Sequence, residues 1–130
     1  MAIERQFDAA KRILRISVIG KVTIPEFQDF MKDMTGSPDY DPDVDALWDL
    51  RRFDFEHVDA EFWQQIVQAR RRFPERSRAR LAHLVDGDFA FGMMRMYQIL
   101  VEIDGADLTQ EVGVFRTEAD AEAWLTRPRG

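Results

Sequence analysis

The apolar positions fall into short alternating runs and longer helical stripes. Ile3 to Phe7 reads as a first strand, Asp8-Ala9-Ala10 as a turn, and Ile13 to Ile19 as a second strand. Two short strands this close together predict an antiparallel hairpin. The period then changes, because Ile24, Phe27, Phe30, Met31 and Met34 share one stripe of a helix. Thr23 and Glu26 precede it at capping-box spacing, which satisfies two backbone donors that the first turn leaves unpaired. Gly36 and Pro38 supply its stop signals. Past an acidic connector, Ala46 to Leu50 predicts a third strand, and Asp59 the cap of a second helix reaching about Phe73 before Pro74. Ala79 to Val85 is apolar on both faces, as a central strand is. Asp88 is expected to cap a third helix through about Ile103. Val112 to Phe115 is then a fifth strand, and Thr117 caps a last helix ending near Leu125.

Strands that alternate with helices need crossover connections, so the sheet is expected to be mainly parallel. The prediction is an α/β domain over residues 1–125: a mainly parallel five-stranded sheet with an antiparallel N-terminal hairpin and four helices. Residues 126–130 are expected to fray. A length of 130 residues fits one domain. The absence of cysteine excludes disulfides, thiolate zinc sites and cysteine nucleophiles. The N-terminus is charged where a signal peptide is apolar, and no run approaches membrane-spanning length. The expectation is a cytoplasmic protein without membrane insertion.

Three stretches, in this order and spacing, are similar to the SpoIIAA-like family of the STAS superfamily. They are Leu47-Trp48-Asp49-Leu50-Arg51, the run from Phe91 to Tyr97, and Val112 to Arg116 followed by Ala121-Glu122-Ala123-Trp124-Leu125. The resemblance implies a sheet with helices packed around it. Its better understood members are anti-sigma-factor antagonists, in which a serine after the third strand is phosphorylated. The matching positions here are His57, Val58, Asp59 and Ala60, and Val58 has no hydroxyl. A partner-binding or regulatory role without the phospho-switch is what the resemblance leaves.

In open α/β sheets, ligands bind beyond the carboxyl ends of the strands. That edge is predicted to carry Asp49, Arg51, Asp86 and Asp88, with His57 and Asp59 in the adjoining loop. These six are candidates for a ligand or partner site, against the plainer reading that Asp59 and Asp88 cap helices and Asp49 pairs with a nearby arginine. Asp49 and Asp86 would be the carboxylates of an enzyme. No glycine-rich phosphate loop or nucleophile elbow accompanies them, so no catalytic residue and no cofactor is assigned. The alternating aspartates from Asp39 to Asp45 lack the glycine and glutamate of an EF-hand loop, and no metal site is assigned. Of the two histidines, His83 sits within a strand, where a hydrogen-bonded structural role is expected.

The net charge of −6 argues against nucleic acid as a partner. Arg70, Arg71, Arg72, Arg76, Arg78 and Arg80 cluster locally but read as a solvated face near a helix C-terminus. Arg70 falls among Phe62, Trp63, Ile66 and Val67, and its stem is expected to run along them to water or a carboxylate. The third helix is apolar over an arc of about 160°, wider than one core-facing stripe requires. Phe91, Met94, Ile99 and Val101 are therefore candidates for a surface that meets a second subunit, a protein partner or a small apolar ligand.

Overall fold

Alternation along each strand decides which side chains meet which layer. In the computed structural model, which describes residues 3–72, 79–104 and 111–128, β1 (Ile3–Asp8) and β2 (Ile13–Gly20) form the expected antiparallel hairpin. The parallel strands β3 (Asp45–Phe53), β4 (Leu81–Leu84) and β5 (Val112–Phe115) follow in the order β1-β2-β3-β4-β5. Helices α1 (Ile24–Thr35), α2 (Ala60–Arg70) and α3 (Asp88–Asp104) make the three crossovers. Each crossover steps to the next strand in the same direction. With right-handed connections, all three helices must then lie on one face of the sheet. Helix α4 (Glu118–Leu125) follows the last strand and covers the other face.

The core divides accordingly. Ile16 and Val18, Ala46 and Leu50, and Leu81 and Val85 face α1, α2 and α3. The residues between them, Ile13, Leu47, Ala82 and Leu84, face α4 with Ala121 and Leu125. On this face ion pairs also tie the helix to the hairpin. Lys11 and Arg15 of the hairpin reach Glu118 and Glu122 of α4, with Lys11 Nζ 2.7 Å from Glu122 Oε2.

The helix starts follow local chemistry. The Thr23 hydroxyl accepts from the Glu26 amide, and the Glu26 carboxylate accepts from the Thr23 amide. Asp59 and Thr117 cap α2 and α4 in the expected way. Asp88 does not cap α3. It is the first helical residue, and the Phe91 amide donates to the carbonyl of Gly87, whose φ of +90° explains the glycine. Strand β3 runs to Phe53 rather than Leu50, because β2 keeps pairing with it past a register shift between Ser17 and Ile19. Strand β4 is shorter than expected.

Helix α2 ends at Arg70; Phe73, Pro74, Arg76 and Arg78 lie outside the described residues. Arg80 is buried, not on a solvated basic face: its Nη1 donates to the carbonyls of Trp124 and Arg127 at 2.9 and 2.7 Å. Thr126 and Arg127, expected to fray, are held by this guanidinium and by the Thr126 amide donating to Glu122. None of the described helices is long and apolar enough to cross a membrane.

Candidate functional site

The inner face of β4 presents Leu81 and His83, with Val85 just past its end on the same side, so one imidazole stands in an otherwise apolar wall. Above it, Trp63, Ile66 and Arg70 recur at helical spacing on α2, and Met94 and Tyr97 stand one turn apart on α3. Phe27 and Met31 of α1, with Trp48 and Leu50 of β3, extend the same wall. These surfaces do not close on one another. They leave a cavity of about 80 Å³, at whose margin the half-buried Val22, Phe53 and Phe62 stand.

The cavity is apolar except at one end, where Tyr97 is the hub. Its ring centroid lies 5.4 Å from that of Trp63 and 5.5 Å from that of His83, which meets it edge-on at 90°. Arg70 Nη1 donates to the Tyr97 hydroxyl at 2.5 Å. Burial, and secondarily the charge of Arg70, push the His83 imidazole down to about 3, so it is neutral at physiological pH. Two buried polar atoms of these residues have no partner among the described residues: the indole nitrogen of Trp63 and Nδ1 of His83. Both residues are only 5% exposed. Leaving a buried polar group unpaired costs about 1–3 kcal/mol. A core shaped only for stability would place phenylalanine or leucine at such positions.

The strand-end residues predicted from sequence divide into separate groups. Asp49 lies within β3, though at the last rung of its ladder with β4, and faces α4. Arg51 chelates it, with Nε and Nη2 donating to the two carboxylate oxygens at 2.9 and 2.7 Å. That pairing holds the Asp49 carboxyl below the usual range and raises Arg51, to which Glu118 and Asp86 also contribute. Asp49 and Arg51 are therefore paired, while Asp86 acts on the same guanidinium only weakly, through its charge. His57 and Asp59 stand elsewhere: His57 Nε2 lies 3.3 Å from Asp54 Oδ2, and Asp59 caps α2. Asp88 pairs with Arg116 at 2.6 Å, and that guanidinium lies 4.4 Å over the Phe91 ring.

The apolar set expected on one surface of α3 is also divided. Met94 and Val101 are buried in the core, Phe91 is half-buried, and only Ile99 is exposed. The outward face of α3 instead carries Phe89, Ile99 and Ile103, at 61, 49 and 67% exposure. Arg70 reaches the Tyr97 hydroxyl. The His83 ring, expected to be hydrogen-bonded, leaves Nδ1 without a partner among the described residues. Sequence reasoning singled out Arg70 and His83 separately and assigned no role to Trp63. The available signal was a histidine in an apolar strand and an arginine in an apolar helical stripe. Among the described residues, no group of three or more histidine or carboxylate side chains could hold a metal ion.

No protein-family model matches the sequence, and no curated protein matches it either. In structure the chain is similar to an uncharacterized protein of the DUF3478 family with a SpoIIAA-like fold from Shewanella loihica PV-4. The TM-score is 0.60 at 16% identity, covering 95% of this chain and 92% of that one. At such low identity the likeness speaks for architecture alone: the chain has a SpoIIAA-like fold.

Proposed function

We propose that this chain is a non-catalytic binding module whose ligand is a small, largely apolar molecule held between the sheet and helices α1 to α3. The observation that carries the reading is the cavity of about 80 Å³, lined by apolar side chains of the sheet and of α1 to α3 with Trp63, Arg70, His83 and Tyr97 among them. A ligand that fills this apolar space replaces empty volume with contacts. An enzyme built on Asp49 and Asp86 has less support, because Asp49 is chelated by Arg51 and held ionised.

A second reading, regulation through a protein partner or a second copy of the chain, is favoured by the exposed Phe89, Ile99 and Ile103 on α3. The two readings are compatible, since α3 also contributes Met94 and Tyr97 to the cavity.

Native mass spectrometry of gently purified protein, followed by denaturing analysis, tests both. A mass excess that is lost on denaturation supports the ligand reading, and a dimer mass supports the second. Protein that is empty, and that no small apolar compound stabilises against heat, overturns the ligand reading.

A further inference from the structure

Helix α3 carries a second apolar stripe that its own core does not use. Phe89, Gly92, Met96, Ile99 and Ile103 recur at alternating steps of three and four residues along it. That is the spacing of a seam between two paired helices. The stripe lies on the side away from Ala90, Met94, Tyr97 and Val101, which face the core. Phe89, Ile99 and Ile103 are exposed, and Met96 is half-buried. Gly92 is exposed among them, where glycine weakens a helix interior. A Cβ built there would meet nothing within 4 Å, so packing among the described residues does not call for a glycine. The gap suits a large side chain arriving from a facing helix.

The two flanks of the stripe differ. One carries the exposed Arg95 and Glu102, with Asp88 on the same side already paired with Arg116. The other is apolar, with the half-buried Met93 and Leu100. Two such helices packed in parallel bring unlike flanks together, which would set Arg95 beside the partner's Leu100 and leave its charge unmatched. Packed antiparallel, they bring like flanks together. A two-fold axis between residues 97 and 98 then sets Arg95 against the partner's Glu102 and Met93 against the partner's Leu100, each contact occurring twice. The same axis lays Ile103 over the partner's Gly92 and Met96 beside the partner's Ile99. Charge, size and apolarity are matched in one register.

We propose that a second copy of this chain docks antiparallel on the outward face of α3, its Arg95 meeting the partner's Glu102 and its Ile103 the partner's Gly92. This rests on the reading of α3 as an association surface and names its occupant and register; the cavity on the opposite side of the helix stays available to a ligand.

Sedimentation equilibrium of the full-length wild type, of Arg95→Glu, of Glu102→Arg and of the two variants mixed in equal amounts tests it. The wild type should be a dimer. Each reversal alone creates two like-charge contacts across the axis and should weaken self-association roughly tenfold or more. In the mixture each reversed residue meets an opposite charge, so a mixed dimer should form about as tightly as the wild type. Because the chain has no cysteine, a second measurement needs no charge change: Met96→Cys mixed with Ile99→Cys should oxidise to a disulfide-linked dimer faster than either variant alone. A wild type that stays monomeric overturns the proposal and self-association together. A dimer that neither reversal weakens overturns the α3 interface and leaves self-association in place. Reversals that dissociate the dimer without recovery on mixing, or cysteine variants that link no faster mixed than alone, overturn the antiparallel register.

Discussion

His83 makes folding stability depend on pH in a window whose upper part, between about pH 5 and 7, lies above the usual carboxylate range, and the dependence can be removed by one substitution. In the folded chain burial lowers its pKa from 6.5 to about 3, and the charge of Arg70 adds to the effect. The unfolded chain therefore binds a proton at His83 below about pH 6.5, while the folded chain stays neutral until about pH 3. Stability from this group is fully present above pH 6.5, falls as pH drops through the window, and levels off below about pH 3. Applying the two pKa values, the loss between pH 7 and pH 5 is about 2 kcal/mol, and the whole window is worth roughly 3–6 kcal/mol.

Urea titrations of the wild type and of His83→Phe at half-unit steps from pH 7.5 to 4.5 would measure it. Phenylalanine keeps the edge-on contact with Tyr97 and extends into the adjoining cavity. Its stability at pH 7.5 mixes a gain of about 1–3 kcal/mol, from removing an unpaired polar atom, with an overpacking cost of similar size. The informative quantity is thus the slope. Titration of other groups appears in both proteins and cancels in the difference. With m near 2 kcal/mol/M, the wild-type midpoint should fall by about 1 M more than that of the variant between pH 7 and pH 5. His83→Leu, with no ring to accommodate, should show the same flattened profile. Parallel profiles for wild type and both variants would refute the buried, neutral imidazole and the picture of the cavity wall built on it.

Three further outcomes follow from contacts outside that ring. Tyr97→Phe removes the acceptor of Arg70 Nη1 inside the core and should cost about 1–3 kcal/mol in denaturant unfolding; an unchanged midpoint would show that this bond contributes nothing net. Arg80→Met leaves the carbonyls of Trp124 and Arg127 without their donor, so hydrogen exchange over the last turn of α4 should accelerate before the rest of the sheet; uniform exchange would contradict a local role. Glu122→Gln weakens the pairs with Lys11 and Arg15 and should cost under about 1 kcal/mol at low salt, less at high salt. Because those cations hold the Glu122 carboxyl below its usual value of 4.5, the contribution is present above that pH and fades below it. A salt-independent difference would count against ion pairing there.

The architecture was legible in the sequence because its signals are local. The capping box at Thr23 and Glu26, the caps Asp59 and Thr117, and the alternation of Ile13 to Ile19 depend on neighbours within a few residues, and each element formed where its pattern placed it. The departures come from partners distant in the chain. Strand β3 continues to Phe53 because β2 pairs with it there, which no residue of β3 announces. Arg80 looks like one of a row of surface cations until α4 places two carbonyls against it. The breadth of the apolar arc on α3 was legible, but its division was not. Met94 and Val101 turn inward because α2 and the sheet occupy that side, leaving Phe89, Ile99 and Ile103 outside.

The cavity was not legible for the same reason, carried further. Trp63 and Arg70 belong to the second crossover, His83 to the strand after it, and Tyr97 to the third crossover. Each by itself reads as an ordinary core residue with a polar tip. Only the one-directional strand order, which stacks α2 and α3 on the same face as the β4 imidazole, brings them around one ring. A site assembled this way carries a cost that packing alone does not explain: an empty volume and, among the described residues, two buried polar atoms without partners. Substitutions that remove that cost should therefore separate stability from binding. His83→Phe, by filling the space, should lose affinity for any cavity ligand even where it holds or raises the urea midpoint at neutral pH. A variant that gained stability and kept full affinity would mean that the ligand binds elsewhere.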